Sequence, residues 1–244
     1  NAMKQFQPFL LTALATFLVA TGSANATVNE SDSNFDGKPD QWEHLDSNGQ
    51  TTKIEHDGNF DGAVDQIEYY GPGKTLQRVE FDSNNDKKMD NFQYYGPGKK
   101  VVRIERDSKN KGKIDWKEFF NDAEKPSRVE IDTDLNGSFD LIQHYNSSEK
   151  LERVESDTKG TGKTDVWSWF DSSEKRTKTA FDTNADGKPD QWQIFNSSEQ
   201  VDKVEFDTNF DGKVDRWDTY SGGKVTKVQL DRNFDGKIDM TQNK

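Results

Sequence analysis

Nine short acidic loops recur along this chain, and each of them begins with an aspartate. Six of the loops read D-x-[ND]-x-[DN]-G-x-x-D, and the spacing between first aspartates is 25 residues seven times and 24 once. Oxygens at alternate positions of a tight turn can converge on a hard cation, and Ca²⁺ takes about six to eight oxygen ligands. The pattern therefore predicts calcium sites. The first aspartates are Asp32, Asp57, Asp82, Asp107, Asp132, Asp157, Asp182, Asp207 and Asp231.

The second loop shows how each ligand set would be assembled. Asp57, Asn59 and Asp61 offer side-chain oxygens at positions 1, 3 and 5, Ala63 offers a backbone carbonyl at position 7, and Asp65 closes the site at position 9. Position 6 requires a left-handed backbone, which glycine adopts without strain. Six intact loops predict about six calcium ions. The predicted side-chain ligands are Asp32, Asn34, Asp36, Asp40, Asp57, Asn59, Asp61, Asp65, Asp132, Asp134, Asn136, Asp140, Asp182, Asn184, Asp186, Asp190, Asp207, Asn209, Asp211, Asp215, Asp231, Asn233, Asp235 and Asp239, with backbone carbonyls from Lys38, Ala63, Ser138, Lys188, Lys213 and Lys237.

Three loops depart from the pattern. The loop at Asp107 has lysines at two ligand positions and the loop at Asp157 has Lys159 and Thr161 there, so both are predicted to be metal-free. The loop at Asp82 keeps its ligands but has Lys87 in place of glycine, which costs about 1 kcal/mol of left-handed strain. It is predicted to be a weaker, seventh site. Its ligands would be Asp82, Asn84, Asp86 and Asp90, and the two lysines of the Asp107 loop are Lys109 and Lys111.

An alternative interpretation is that the loops are aspartate-rich turns that cap hairpins without any ion. Six near-complete copies in a chain without cysteine favour metal, because some element other than a disulfide must stabilise the fold. The sequence D-x-D-x-D-G-x-x-D resembles the EF-hand-like loops of FG-GAP blades and of thrombospondin type 3 repeats. The resemblance covers the loops only, and it implies calcium binding. The segment from Tyr69 to Lys74 bears a weaker likeness to the YD-type hairpin repeats of bacterial surface proteins.

The N-terminal segment indicates export. Asn1 and Ala2 precede the apparent initiator Met3 and are interpreted as a cloning scar, and residues 3–26 have the pattern of a secretory signal peptide. Residues 27–31 are expected to be a linker, and residues 32–244 a single repeat domain. We therefore predict a periplasmic or extracellular protein. The net charge of −12 argues against nucleic acid as a partner, and no apolar run is long enough for a membrane span.

Each repeat is predicted to be a β-hairpin, so the fold class is all-β. After the second loop come Gln66 to Tyr70, the turn Gly71-Pro72-Gly73, and Leu76 to Phe81, which are segments of strand length. We expect Ile67 opposite Val79, and likewise Glu43 opposite Lys53 and Trp192 opposite Val204, with Tyr70 opposite Leu76. Tandem hairpins would form an antiparallel meander, a superhelical solenoid with the loops along one edge. The alternatives are a four-bladed propeller and a solenoid of strands plus short helices, in which Asn146 to Val154 would contain a helix.

The tryptophans give the sequence a second regular feature. Trp42, Trp167, Trp192 and Trp217 occupy the same position of their repeats. The first interpretation is core packing, and the second is a ladder that stacks on sugar rings. Trp116 and Trp169 lie off this row and are expected to face solvent. His44 and His144 replace aromatic residues, and with His56 they form no catalytic set, so an enzyme is not predicted.

The functional prediction is a calcium-loaded structural or adhesive protein that presents a rigid surface to a protein or a glycan. The alternative is a calcium-dependent lectin that uses the tryptophan row, and a secreted hydrolase is the third and weakest hypothesis.

Overall fold

The computed structural model describes residues 27–244, and it divides the chain into two compact units, one up to Lys99 and one from Lys100. The predicted scar and signal peptide lie outside the described residues. A single repeat domain was predicted from residue 32. The division has a simple basis, because repeats that contact only their neighbours share no common core.

The first unit contains six antiparallel strands, each paired with the next one in sequence. They are β1 (Thr27–Ser31), β2 (Gln41–Leu45), β3 (Thr51–His56), β4 (Gln66–Gly71), β5 (Thr75–Phe81) and β6 (Asn91–Tyr95), followed by a short 3-10 turn at Pro97–Lys99.

The second unit continues the same pattern with twelve strands. They are β7 (Val101–Arg106), β8 (Trp116–Phe120), β9 (Pro126–Ile131), β10 (Leu141–Tyr145), β11 (Leu151–Ser156), β12 (Val166–Phe170), β13 (Arg176–Phe181), β14 (Gln191–Phe195), β15 (Val201–Phe206), β16 (Arg216–Ser221), β17 (Lys224–Leu230) and β18 (Met240–Asn243).

The prediction of tandem hairpins in an antiparallel meander is confirmed. Residues 27–244 contain no α-helix, and the segment in which a helix was considered forms a turn and strand β11. Strands β7 to β18 pair without the breaks that would separate four-stranded blades, so the propeller alternative is wrong. The prediction of a linker over residues 27–31 is also wrong, because these residues form β1 and pair with β2.

The predicted hairpin register is wrong by one residue over most of each hairpin. Tyr70 does lie opposite Leu76, but Tyr69 lies opposite Arg78, so Gln77 is an extra residue, a β-bulge. Beyond the bulge every pair moves by one position. Ile67 therefore lies opposite Glu80 rather than Val79.

The same correction applies to the other two predicted pairs. Glu43 lies opposite Ile54 rather than Lys53, and Trp192 lies opposite Glu205 rather than Val204. A serine or threonine at the bulge donates its hydroxyl hydrogen to a carbonyl of the first strand in four hairpins. These donors are Thr52, Ser127, Thr177 and Thr226.

Because neighbouring strand residues point to opposite faces, the register assigns the side chains to two faces. One, here called the valine face, carries the buried apolar side chains Val79, Val129 and Val204. In the first unit this face lines a depression of about 900 Å³. The other, the tryptophan face, carries the four aligned tryptophans, all of them half-buried. The tryptophan row is therefore separate from the buried valines.

Within residues 27–244 no helix is long and apolar enough to cross a membrane.

Candidate metal loops

Each acidic loop connects the second strand of one hairpin to the first strand of the next, and its two terminal aspartates extend the sheet. The amide N–H of Asp65 donates to the carbonyl of His56 at 2.9 Å, and the N–H of Asp82 donates to the carbonyl of Asp65 at 2.9 Å. Most aspartates at positions 1 and 9 are consequently buried, and Asp132 is 0 % exposed. The strand ends thus fix the ninth position of every loop and both ends of seven loops.

The predicted ligands of an intact loop turn toward the loop interior. Both carboxylate oxygens of Asp57 accept backbone N–H groups, from Asp61 at 3.1 Å and from Gly62 at 2.8 Å. The Asn59 side-chain oxygen accepts from Asp61 N–H at 2.9 Å, and Asp61 accepts from Ala63 N–H at 2.9 Å. A carboxylate oxygen has two lone pairs, so one hydrogen bond orients it and leaves one lone pair for a cation.

The ninth position closes the loop from the other side. Asp65 accepts hydrogen bonds from the N–H groups of Gly58 and Asn59, at 2.9 and 3.0 Å. Burial raises the pKa of Asp65, and the neighbouring Asp57 charge raises it further, although the two N–H donors and His56 lower it. A divalent cation would offset the unfavourable terms.

One loop brings three carboxylates into ligating proximity. One oxygen each of Asp132, Asp134 and Asp140 lie within 4.8 Å of one another, and no other described residues form such an acidic group. Calcium–oxygen distances of about 2.3–2.6 Å allow ligand oxygens of one ion to be up to roughly 5 Å apart. The group therefore has the spacing to hold a metal ion, and this spacing is compatible with calcium. In the other five intact loops an asparagine holds position 3, so its amide oxygen would have to provide the third contact.

The left-handed backbone predicted at position 6 is confirmed. Gly62 has φ 86° and Lys87, which replaces glycine in the third loop, has φ 72°. Sequence reasoning missed that position 4 is also left-handed, with non-glycine residues in eight of the nine loops. These residues are Phe35, Phe60, Asn85, Asn110, Leu135, Ala185, Phe210 and Phe234. Nothing in their residue types marked this requirement.

The hydroxyl at position 2 was also missed. In six loops this side chain donates to the aspartate at position 9 over 2.7 to 2.9 Å. The recurrence of serine and threonine directly after the first aspartate was the available signal. The six donors are Ser33, Ser83, Thr133, Thr158, Thr183 and Thr208.

In the two degenerate loops, lysine ammonium groups contact backbone carbonyl oxygens of the following loop. Lys109 Nζ donates to the carbonyl oxygens of Asp132 and Thr133 in the next loop, at 3.2 and 2.7 Å. Lys159 Nζ donates to the Asp182 carbonyl at 2.8 Å and lies 3.8 Å from the Asp165 carboxylate. In each of these two loops the lysine ammonium group therefore binds oxygen atoms of the protein. In the loop at Asp82, the predicted weaker site, the N–H of Asp86 donates hydrogen bonds to the side-chain oxygens of Asp82 and Asn84, as in the intact loops.

Two of the three histidines lie on the tryptophan face and contact glutamates. His44 and His144 occupy the register position of Tyr69 and contact Glu55 and Glu155 at 2.6 and 3.0 Å, which confirms them as aromatic substitutes. Burial raises the pKa of Glu55, but hydrogen bonds from Lys53 and His44 outweigh it and hold that pKa below its ordinary value.

Trp116 lies opposite Ile131, on the valine face, and Trp169 lies opposite Lys178, on the tryptophan face. Both side chains are half-buried, so neither has the solvent-facing position that was expected.

Comparisons with known proteins add no family. No family model matches the chain, and no curated protein matches it. Among solved structures, one of accessory secretory proteins 1, 2 and 3 in Streptococcus pneumoniae aligns with 50% of this chain and 19% of its own, at 13% identity and a TM-score of 0.31.

Two further structures have similar scores. A GtfA/B complex bound to UDP and GlcNAc aligns with 57% of this chain and 25% of its own, at 11% identity and a TM-score of 0.26. TcdB2-TccC3 aligns with 88% of this chain and 14% of its own, at 10% identity and a TM-score of 0.21. This chain thus spans a quarter or less of each of these three chains, and likenesses this weak carry no functional argument.

Proposed function

We propose that this chain is a calcium-binding repeat protein in which bound ions join neighbouring hairpins. The observation that carries the proposal is the convergence of Asp132, Asp134 and Asp140 in a loop whose ends are fixed by the sheet. The other five intact loops share the inward hydrogen bonds, and four of them also have both ends fixed by the sheet. About six sites would result, with the Asp82 loop as a weaker seventh.

Calcium would act chiefly on stability. Ligand carboxylates held together without an ion repel one another, and a bound ion that is absent from the unfolded state stabilises the folded one. For an assumed dissociation constant of ~0.1 mM and ~1 mM calcium, each site contributes about 1.4 kcal/mol. Six sites would contribute on the order of 8 kcal/mol, which is comparable with the stability of an ordinary domain.

The biological role that fits is structural or adhesive. An exported protein meets millimolar calcium outside the cell, and the pattern of residues 3–26 supports export to the periplasm or beyond. The ordered two-faced sheet would present a surface to a protein or a glycan partner. The proposal assigns no catalytic activity and no nucleic-acid partner.

The direct test is to count ions. Calcium bound per chain would be measured after equilibrium dialysis, for the wild type and for Asp132→Asn. We expect about six ions for the wild type and about one fewer for the variant. A wild type that binds no calcium at millimolar concentration would refute the proposal.

A second candidate function is carbohydrate binding by the tryptophan face. The supporting observation is the register, which separates the aligned tryptophans from the buried valines and leaves their rings half-buried. Aromatic rings that remain partly exposed can stack on the apolar faces of sugar rings. Titration with neutral and acidic oligosaccharides tests this function independently of ion counting.

A further inference from the structure

Two hairpins differ from the other six on the tryptophan face. In β17 the position of the recurrent glutamate holds Gln229, which lies opposite Trp217, and in β13 it holds Ala180, which lies between two tryptophans. In six hairpins a glutamate of the second strand pairs with the lysine or arginine two residues earlier, as Glu205 does with Lys203 at 2.6 Å. The other five pairs are Lys53–Glu55, Arg78–Glu80, Arg103–Glu105, Arg128–Glu130 and Arg153–Glu155. In strand β13 the glutamate position holds Ala180, so the ordinary partner of Lys178 is missing.

The surroundings of Lys178 are aromatic. Trp169 and Ile194 lie directly opposite it on the two adjacent strands, and Lys178 Nζ is 5.4 Å from the Trp169 ring centre and 5.9 Å from that of Trp192. Within residues 27–244 no carboxylate lies within 4.0 Å of this ammonium group. The acids nearest along this face, Glu155 and Glu205, are already paired with Arg153 and Lys203.

Ala180 lies between two of the tryptophans, so no long side chain separates them. It lies opposite Trp167 on β12 and Trp192 on β14, and it is 0 % exposed. The backbones of the two tryptophans are two strand spacings apart, roughly 9.6 Å. A surface of that width is wider than one sugar ring, so the proposed ligand has at least two linked rings.

We propose that Trp167, Trp169, Trp192 and Lys178 form a binding site for an acidic oligosaccharide, a chain of sugar rings that carries a uronic-acid carboxylate. The rings stack on the indoles, and the carboxylate accepts a charge-assisted hydrogen bond from Lys178, the one that glutamate accepts in the other hairpins. This inference rests on the second proposed function, carbohydrate binding by the tryptophan face. It requires no calcium at the site.

The chain contains its own matched control. Glu205 lies between Trp192 and Trp217 just as Ala180 lies between Trp167 and Trp192, but there Lys203 is paired with Glu205. Ala180→Glu would therefore close the proposed site with an arrangement that the fold already accommodates. Glu205→Ala would free Lys203 between Trp192 and Trp217 and create a second site that differs from the first in having Ile194 where the first has Trp169.

The experiment is calorimetric titration in calcium buffer with a tetrasaccharide of alternating glucuronic acid and N-acetylglucosamine, compared with neutral chitotetraose. We expect the acidic ligand to bind with a stoichiometry of one. Lys178→Gln and Ala180→Glu should each weaken its binding about tenfold or more, the effect of one charge-assisted hydrogen bond. Neutral-ligand binding should change little. Because the second site would share Trp192 with the first, Glu205→Ala should restore acidic-ligand binding to the Ala180→Glu variant rather than raise the stoichiometry.

Several results would overturn the inference. Equal affinity for the two saccharides, or unchanged affinity in both Lys178→Gln and Ala180→Glu, would refute the acidic site while leaving carbohydrate binding standing. Absence of binding by either saccharide would refute the carbohydrate function as well, and the calcium count would be unaffected. Tighter binding of an alternating Glu-Phe tetrapeptide than of either saccharide would assign the surface to a peptide instead.

Discussion

At the scale of single residues, the aspartates of one loop differ in their surroundings. Those at positions 1 and 9 are tied to the sheet through backbone hydrogen bonds, as Asp207 is through Asp190 and Asp215 is through Phe206. The aspartate at position 5, such as Asp211, is exposed. Replacing a position-5 residue should therefore remove a ligand while sparing the sheet.

The first prediction contrasts an intact loop with a degenerate one. Asp211→Ala should lower the calcium stoichiometry by one and destabilise the calcium-loaded protein by about 1 kcal/mol, because it removes the position-5 ligand. Asp107→Ala should leave the ion count unchanged, since Lys109 and Lys111 replace two ligands in that loop. Calcium would be counted after dialysis. An equal loss from both variants would show that the degenerate loops bind ions.

A second residue-scale prediction concerns Glu118 on the valine face, which is 6 % exposed. Burial raises its pKa above the ordinary value, although Arg106 at 3.4 Å lowers it. A folded-state pKa above the unfolded one means that the ionised group destabilises the fold. Stability should therefore fall as pH rises from the unfolded-state pKa through the folded-state pKa.

Glu118→Gln should remove this pH dependence. Gln93 and Gln143 occupy the equivalent positions of neighbouring repeats, so the fold accommodates the amide. Near pH ~7 the variant should be more stable than the wild type by the order of 1 kcal/mol, a typical size for a point mutation. Near pH ~3.5 the variant and the wild type should have equal free energies of unfolding. Urea unfolding at both pH values checks this, and a variant less stable at neutral pH would show that the Arg106 ion pair dominates.

At the scale of elements, loop and hairpin impose separate backbone requirements. The loop needs left-handed residues at positions 4 and 6, and the hairpin places a bulge two residues into its second strand. Glycine satisfies position 6 in eight loops, and Lys87 alone occupies it with a side chain. The Asp82 loop is therefore strained.

The third prediction tests this strain. Lys87→Gly should stabilise the protein by about 1 kcal/mol, the cost of a left-handed non-glycine residue. It should also tighten calcium binding in the Asp82 loop, because a relaxed loop is better organised for the ion. Calcium titration and thermal melting would measure the two effects. Gly212→Lys is the reverse control and should destabilise; the prediction fails if both variants melt at the wild-type temperature.

At the scale of the whole molecule, charge and apolar content both favour a role for cations. The chain carries a net charge of −12, and only 30% of its residues are apolar. The buried apolar side chains of residues 27–244 are limited to three valines and Ala180. Strand hydrogen bonds must therefore supply stability that other folds obtain from a thick core, and the proposed ion sites would add to it.

The fourth prediction is that calcium removal destabilises the entire chain. Chelation should lower the melting midpoint by more than about 10 °C relative to 2 mM calcium, given a stabilisation on the order of 8 kcal/mol from six sites. Magnesium added after chelation should raise the melting midpoint less than calcium does, because Mg²⁺ requires a stiffer octahedral site and retains its water. A midpoint that is unchanged by chelator to within a couple of degrees would contradict a structural role for the ions.

The sequence alone determined the features that depend on local chemistry. The 25-residue period, the strand lengths, the turns and the left-handed Gly62 follow from neighbouring residue types, and the structure confirms them. The nine loops could be delimited for the same reason, because their ligand pattern repeats within nine residues. Calcium itself stays a prediction, supported by the convergence of Asp132, Asp134 and Asp140.

The tertiary structure decided what depends on pairing between strands. An extra residue, Gln77, shifts the register by one, and a one-residue shift moves every side chain beyond it to the opposite face. Residue types alone did not reveal this bulge, so the tryptophans were predicted to lie opposite the valines. The missing partner of Lys178 likewise became visible only when Ala180 was placed between Trp167 and Trp192. Contacts across strands are set by hydrogen-bond register, which the order of residues along one strand does not contain.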